Sequence, residues 1–308
     1  MILITDTQNA PGRQILNAFL EQKSENIRVL LPSQSDISFY NTLNIDAVIG
    51  NLDNHPSLDK AMKGVDTLII THSNLLSDLR TGYVNLLRTA SGAGVKHIIY
   101  ISSILVGNSS CILAEENAET ETAIRNSGIL YTILRRNILM EQMPIFIGNP
   151  VVSGKILFPG GNGRISFTSA ESIAEIVVYF TQNRPKVGAT YKISNDISHS
   201  FTDIADILSS IIETPIYYSP VENAFFRESL LNDSVPETLT ERIVSVAKSI
   251  EMNEFDVPDF TLFRLLERRN KERAKSYTNV LPNWFNRKRQ PIHKNKNLSD
   301  YLKEVYRH

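Results

Sequence analysis

Two side chains in this sequence are of a type and in a position to handle a proton or hold a reacting oxygen. His72 follows an apolar run in Thr71-His72-Ser73-Asn74, and Ser102 closes another, His97-Ser102. An imidazole titrates near neutral pH and can donate a proton. A serine at a strand end can hydrogen-bond a ligand in the cleft it faces, or simply close its own turn. No pair of the Tyr-x-x-x-Lys type supports them, because none of the 11 tyrosines is followed four residues later by Lys. Such a pair works by the lysine lowering the phenol pKa. His55, His97, His199, His293 and His308 form no i,i+4 pair, so no metal site is expected. Cys111 has no neighbouring base in sequence that would activate a thiol.

The third candidate is a loop, Ile4-Thr5-Asp6-Thr7-Gln8-Asn9-Ala10-Pro11-Gly12-Arg13-Gln14-Ile15. A strand that runs through a glycine-rich turn into a helix is the usual cradle for a dinucleotide. Its glycines allow the tight turn, the approach of the pyrophosphate and the packing of helix on strand. Only Gly12 is a glycine here. Pro11 suits the first turn of a helix and Gly12 still permits close packing. Asp6 would set a carboxylate against a pyrophosphate, and like charges repel. Asn9 tolerates a left-handed backbone but fills space that a glycine would leave open.

The elements that must position these groups read as repeated β-α units. Apolar runs at Ile2-Thr5, Ile27-Leu31, Ala47-Gly50, Thr67-Thr71, His97-Ser102 and Leu130-Leu134 alternate with segments of helical spacing. Ile15, Leu16, Phe19 and Leu20 form one such helical face, and Leu79, Tyr83, Leu86, Leu87 and Ala90 another. Strands apolar on both faces belong to a parallel sheet covered by helices on both sides. Gly64 and Gly94 each stand between a helix and a strand, where a positive φ ends a helix at low cost.

After Pro150 the pattern shifts towards helices. A turn at Gly160-Gly161-Asn162-Gly163 precedes helices predicted over Ser169-Phe180, Glu222-Leu231, Pro236-Ile250 and Phe260-Lys275. A short strand is expected at Ala189-Ile193, and Ser200-Phe201-Thr202-Asp203 predicts a capped helix start. The expected fold is α/β: a Rossmann-type parallel sheet flanked by helices over residues 1-150. A smaller subdomain over 151-263, interleaved with the first, and a C-terminal extension over 264-308 complete it.

With 42% hydrophobic residues, 21% charged residues and a net charge of −1, nothing in the whole composition points to nucleic acid or membrane. One region departs from this balance. Between Arg264 and Lys296 there are 11 basic and 2 acidic residues, a local charge of +9. Such a segment is either a solvated helix face with a linker or a surface for an acidic protein partner, with nucleic acid the weaker alternative. The last residues, Leu298, Tyr301, Leu302 and Val305, have the spacing of a helix that docks on the body. A single cysteine, no run of apolar residues long enough for a membrane span and no leader-like start lead to the expectation of a cytoplasmic protein.

These phrases, in their order and spacing, resemble the NmrA-like branch of the atypical short-chain dehydrogenases, most closely its bacterial quinone reductase type. In that branch the first loop is G-x-x-G-x-x-G, and its glycines fall on Asp6, Asn9 and Gly12 of this chain. Gly64-Val65-Asp66, Ala93-Gly94-Val95-Lys96-His97-Ile98, Glu119-Thr120-Glu121, Ser127 to Arg135 and the Gly161-Asn162-Gly163 turn carry the resemblance onward to about residue 250. It implies NADP or NAD as cofactor, with Asp6, Thr7, Gln8, Asn9, Pro11, Gly12, Pro32, Asn51, Leu52, Thr71, His72 and Ser102 as the contacting residues. It also implies a small-molecule substrate in the cleft.

The departures from the family pattern weigh against full cofactor binding. Leu31-Pro32-Ser33-Gln34 carries neither the basic residue that would pair a 2′-phosphate nor an acid for the free ribose. Asn51 and Leu52 stand where relatives have an Asp near the adenine, and Asn117 stands where a titratable His or Lys is common. The sequence therefore predicts weak binding or none. It favours a regulator, sensor or pseudoenzyme, with an NAD(P)H-dependent reductase of a quinone-like or small carbonyl substrate as the alternative.

Overall fold

The backbone explains why the strands are apolar throughout. Ile4, Val29, Leu31, Ile69, Ile99 and Ile101 are buried on one face of the sheet. Their chain neighbours Leu3, Leu30, Leu68, Ile70, Ile98 and Tyr100 are buried on the other. Alternate side chains of a strand point to opposite faces, so a sheet covered on both sides makes its central strands largely apolar. The computed structural model describes residues 1–71, 80–107, 109–185, 187–280 and 296–307.

The first half alternates strand and helix: β1 (Ile2–Ile4), α1 (Gly12–Glu21), β2 (Ile27–Leu31), α2 (Ile37–Thr42), β3 (Asp46–Ile49), α3 (His55–Met62), β4 (Thr67–Thr71), α4 (Arg80–Gly92), β5 (His97–Ser103), α5 (Ile112–Asn126) and β6 (Leu130–Arg136). Then come α6 (Met143–Ile147), α7 (Pro150–Ser153), β7 (Lys155–Leu157), β8 (Arg164–Ile165), α8 (Ala170–Gln182) and β9 (Ala189–Ile193). The remainder is β10 (His199–Ser200), α9 (Phe201–Ile212), β11 (Tyr217–Ser219), α10 (Asn223–Asn232), α11 (Glu237–Glu251), α12 (Thr261–Val280) and α13 (Leu298–Tyr306).

Seven parallel strands run in the order β3-β2-β1-β4-β5-β6-β9. The order reverses between β1 and β4, the switch point at which such sheets open a crevice at their carboxyl ends. Gly64 and Gly94 have φ of 76° and 77°, ending the helices before β4 and β5. Strands β5 and β6 extend past the apolar runs, pairing Ser102 with Arg135 and Ser103 with Arg136. Backbone ladders continue through polar residues, so side-chain pattern alone ends these strands too early.

The boundary at residue 150 is crossed twice. β9 returns to the sheet beside β6, and α8 packs on α1, burying Ile173, Ile176 and Val177 on the face that holds Ile4. A further apolar cluster spans that boundary: Phe158 packs between Phe146, Phe201 and Phe226, with Ile104 and Cys111 from the first half and Leu302 from the last helix in the same cluster. At its edge Ser200 Oγ accepts from the Asp203 amide at 3.1 Å and Asp203 returns a bond to the Ser200 amide at 2.8 Å, a reciprocal cap for α9. Arg242 on α11 donates to Glu116 on α5 at 2.7 Å (Nη1 to Oε1), a buried ion pair that ties the subdomain to the sheet layer.

The first turns of the basic segment are not a bare charged face. On α12, Leu262 and Leu266 enter the core against α8, and Arg269 pairs with Glu175 at 2.8 Å, both side chains buried. Arg268 and Lys271 pair along the helix with Glu272 and Glu267. Residues 281–295, the rest of that segment, lie outside the described residues. Helix α13 docks on α9 through Leu298, Tyr301 and Leu302. Among the described residues, no helix is long and apolar enough to cross a membrane.

Candidate functional site: a cleft at the β1/β4 switch

At the carboxyl ends of β1 to β4 lies a cleft of about 780 Å³, within the range of small-molecule sites. Asp6, Thr7, Gln8, Asn9, Pro32, Asn51, Leu52 and Thr71 all line it, so the sequence-predicted contacts converge on one space. Tyr83 on α4 and Asp53 line it too. Sequence reasoning missed both. Tyr83 is predicted only as part of an apolar helix face, yet its hydroxyl donates to the Thr71 carbonyl at 3.3 Å at the floor of the cleft. Burial, aided by the charge of Asp6, pushes its phenol well above the usual tyrosine range. A group so held is a structural donor, not an acid near neutral pH.

Pro11 and Gly12 stand behind the cleft rather than in its wall. A Cβ built on Gly12 would lie 1.4 Å from the carbonyl oxygen of Asp6 and 3.3 Å from Thr71 Oγ1. That oxygen also accepts from the Thr71 hydroxyl at 3.1 Å, so the turn between β1 and α1 is clamped to β4. The helix start requires a glycine here for contact, irrespective of any ligand.

The loop is braced by partners distant in sequence. Thr7 Oγ1 lies 2.7 Å from the Tyr40 hydroxyl, both buried. Gln8 donates its amide to Asp36, and Arg13 donates to the Gln8 carbonyl. Asp6 Oδ1 accepts from the Gln8 amide at 3.1 Å, so the carboxylate that replaces a family glycine shapes the turn locally. Asn9 does not use the left-handed backbone that its residue type tolerates. Asn51 likewise orders its own loop, accepting from the Asp53 amide at 2.9 Å.

The fit to a dinucleotide can be judged from these features. No described side chain caps α1; its Arg13 amide donates instead to the Asn9 carbonyl at 2.9 Å, and the positive end of the helix dipole lies behind the loop. The side chains of Asp6, Asn9 and Pro32 leave the cleft open rather than filling it. The adenosine end is less accommodating to a phosphate. The described lining of the whole cleft carries two carboxylates, Asp6 in the turn after β1 and Asp53 beyond β3, and no Lys or Arg. The cleft therefore fits a dinucleotide, and its described lining offers no cation to a 2′-phosphate.

Ser102 is a correction. It does not face this cleft. Its hydroxyl is buried and donates to Glu121 Oε1 at 2.6 Å. Glu121 also accepts from Arg135 at 2.8 and 2.7 Å and from Arg125 at 2.9 Å. Burial opposes its charge, but these donors hold its carboxyl below the usual range. Sequence reasoning cites Glu121 only within a family phrase and misses its role as the hub of this network. Asn117 is similarly committed, accepting from Tyr100 at 2.7 Å and donating to the Leu113 carbonyl at 2.6 Å. His72 lies outside the described residues.

A second, smaller niche of about 40 Å³ opens at the ends of β5 and β6, bounded by Ser102, Ser103, Asn117 and Arg136 and by apolar side chains of α6 and α11. The two spaces lie on opposite sides of the β4/β5 strand pair.

With this geometry in hand, comparison with known proteins decides the family. The model of the NAD(P)H-binding family matches residues 10–184, more than half of the chain. The chain belongs to the NAD(P)H-binding, NmrA-like family. Quinone oxidoreductase 2 of Escherichia coli (strain K12) is 25% identical over 187 residues, which cover 61% of this chain and 65% of that protein, slightly less than two thirds of its length. NAD(P)H azoreductase of Xenophilus azovorans is 21% identical over 242 residues, covering 78% and 84%. The crystal structure of NADPH-dependent quinone oxidoreductase complexed with NADPH, from Escherichia coli, superposes with a TM-score of 0.84 over 99% of this chain and 100% of that one, at 19% identity. That likeness establishes the fold.

Proposed function

We propose that this protein is an NAD(P)H-dependent reductase of a quinone-like or small carbonyl acceptor. The observation that carries the reading is the open cleft at the β1/β4 switch, lined by the turn after β1 where such folds receive a dinucleotide, in a chain whose residues 10–184 match the NAD(P)H-binding family. The sequence alone ranks a regulator or pseudoenzyme first. The retained volume and the family match favour the alternative.

A bound reduced nicotinamide supplies a hydride; the chain supplies the cradle. Gly12 lets α1 start against the Asp6 carbonyl, while Tyr40 and Asp36 hold Thr7 and Gln8 in place. Thr71 and Tyr83 form the floor. Without a Tyr-x-x-x-Lys pair, the proton that completes reduction comes from solvent, which suits acceptors whose reduced form is a stable oxyanion. With Asp6 and Asp53 in the wall and no described cation, NADH is favoured over NADPH, since a 2′-phosphate would add close to two negative charges.

The test is consumption of NADH and NADPH by the purified protein with a series of quinones and small aromatic carbonyl compounds. Turnover with at least one quinone is expected. No turnover with any acceptor, in protein that binds the nucleotide, would leave a binding protein and remove the reductase reading.

A further inference from the structure

We propose that Arg136, at the carboxyl end of β6, forms with the niche in front of it a binding site for a negatively polarised oxygen, the carboxylate or carbonyl oxygen of a small aromatic ligand. The inference deepens the reductase reading and rests on it for the identity of that ligand as substrate.

Arg136 uses only part of its hydrogen-bonding capacity. Its Nη1 donates to the Asn137 carbonyl at 3.1 Å and to Gln142 Oε1 at 3.3 Å. Among the described residues, Nε and Nη2 have no hydrogen-bond partner and no carboxylate lies within 4.0 Å of the guanidinium. Neither atom is among the sealed polar atoms, so the spare donors face accessible space. Arg135, one residue earlier, has its charge matched by Glu121 at 2.7 Å. Burial pushes the Arg136 guanidinium down to about 10, and the charge of Glu141 offsets this only in part. Taking a cation out of water without a close counter-charge is costly, and an anion supplied from outside recovers that cost. Planar, forked donors are also the geometry that binds a carboxylate or polarised carbonyl best.

The walls say what carries the oxygen. Phe146, Phe255 and Leu113 give the niche flat apolar sides, while Ser103, paired in register with Arg136, adds a hydroxyl at the rim. At about 40 Å³ the niche holds roughly three water-sized groups, enough for a carboxylate or carbonyl but not for a whole ring. The oxygen enters and the ring stays at the mouth against the phenylalanines. Its place at the ends of β5 and β6, beyond the β1/β4 switch, is the side of the sheet away from the β2 and β3 ends. A substrate there approaches the half of a dinucleotide that projects past the switch.

The experiment measures binding by the full-length protein without cofactor, so that it does not depend on turnover. Benzoate, acetophenone and benzyl alcohol are titrated by calorimetry or ligand-observed NMR. Benzoate is expected to bind at least tenfold more tightly than benzyl alcohol, with acetophenone between them. Arg136→Gln is expected to lose that preference, Arg136→Lys to keep part of it, and Arg227→Gln, an exposed pair on α10, to leave it unchanged. Equal affinity of the unaltered protein for benzoate and benzyl alcohol would overturn the proposal even if Arg136→Gln did not fold. So would an Arg136→Gln protein that folds and binds benzoate as the parent does. If benzoate binding depends on Arg136 while no quinone is reduced, the oxygen site stands and the reductase reading falls.

Discussion

The Cα of Gly12 faces the carbonyl oxygen of Asp6 so closely that a Cβ would sit 1.4 Å from it. This contact explains why, of the three family glycine positions, this one is still glycine. At positions 6 and 9 the backbone keeps an ordinary negative φ and tolerates a side chain, whereas at Gly12 no rotamer relieves a clash with backbone. Gly12→Ala must therefore move the start of α1 away from the Asp6 carbonyl at the end of β1. The expected loss is about 3 kcal/mol, the upper range for overpacking, measured from the urea midpoint. A loss below about 0.5 kcal/mol would show the contact to be looser than described.

Asp6 plays two parts that substitution can separate. Its Oδ1 accepts the Gln8 amide at 3.1 Å, which shapes the loop, and its charge stands in the cleft wall. Asp6→Asn keeps an acceptor and removes the charge. Nucleotide affinity is expected to rise about two- to fivefold, the effect of roughly 0.3–1 kcal/mol for a charge at a helix start, and the gain should shrink at high salt. Weaker binding by Asp6→Asn would mean that the carboxylate assists the ligand instead of opposing it.

Glu121 gathers Ser102, Arg125 and Arg135 around one buried carboxylate. Removing its charge leaves the partly buried Arg135 without its counter-ion. Glu121→Gln is expected to cost about 3 kcal/mol in stability, the lower range for breaking a buried pair. Chemical denaturation followed by circular dichroism measures it, and an unchanged midpoint would refute the network's structural role.

His97 is buried at the start of β5, with Nε2 2.9 Å from Thr132 Oγ1 and, among the described residues, no partner for Nδ1. Burial, and then the charge of Arg184, lowers its pKa from 6.5 to about 4. Below pH 6.5 the unfolded chain takes up a proton that the folded one refuses, so stability falls as pH drops from about 6.5 to about 4 and levels off below. The full span is about 3 kcal/mol. His199, also lowered by burial, adds to the same slope. Thermal melts across that range should show a slope that His97→Gln flattens substantially; an identical slope in the variant would place its source elsewhere.

What the sequence reveals follows from what is local. The strands, the glycine helix ends at Gly64 and Gly94 and the cap of α9 depend on neighbours a few residues away, and the sequence pattern finds them. The bracing of the nucleotide loop does not: Thr7 reaches Tyr40 across 33 positions and Gln8 reaches Asp36 across 28. Ser102 reads as a cleft residue because its strand ends there, yet its rotamer is decided by Glu121, 19 positions on. Arg135 and Arg136 look alike in sequence. Only the fold gives one a carboxylate and leaves the other facing a niche.

The central claim is that the cleft still binds a reduced nicotinamide nucleotide despite its altered loop. Titration of the purified protein with NADH and NADPH, followed by calorimetry, tests it most directly. The account predicts saturable one-to-one binding, tighter for NADH than for NADPH and lost or much weakened by Gly12→Ala. No heat of binding for either nucleotide up to millimolar concentration would contradict it.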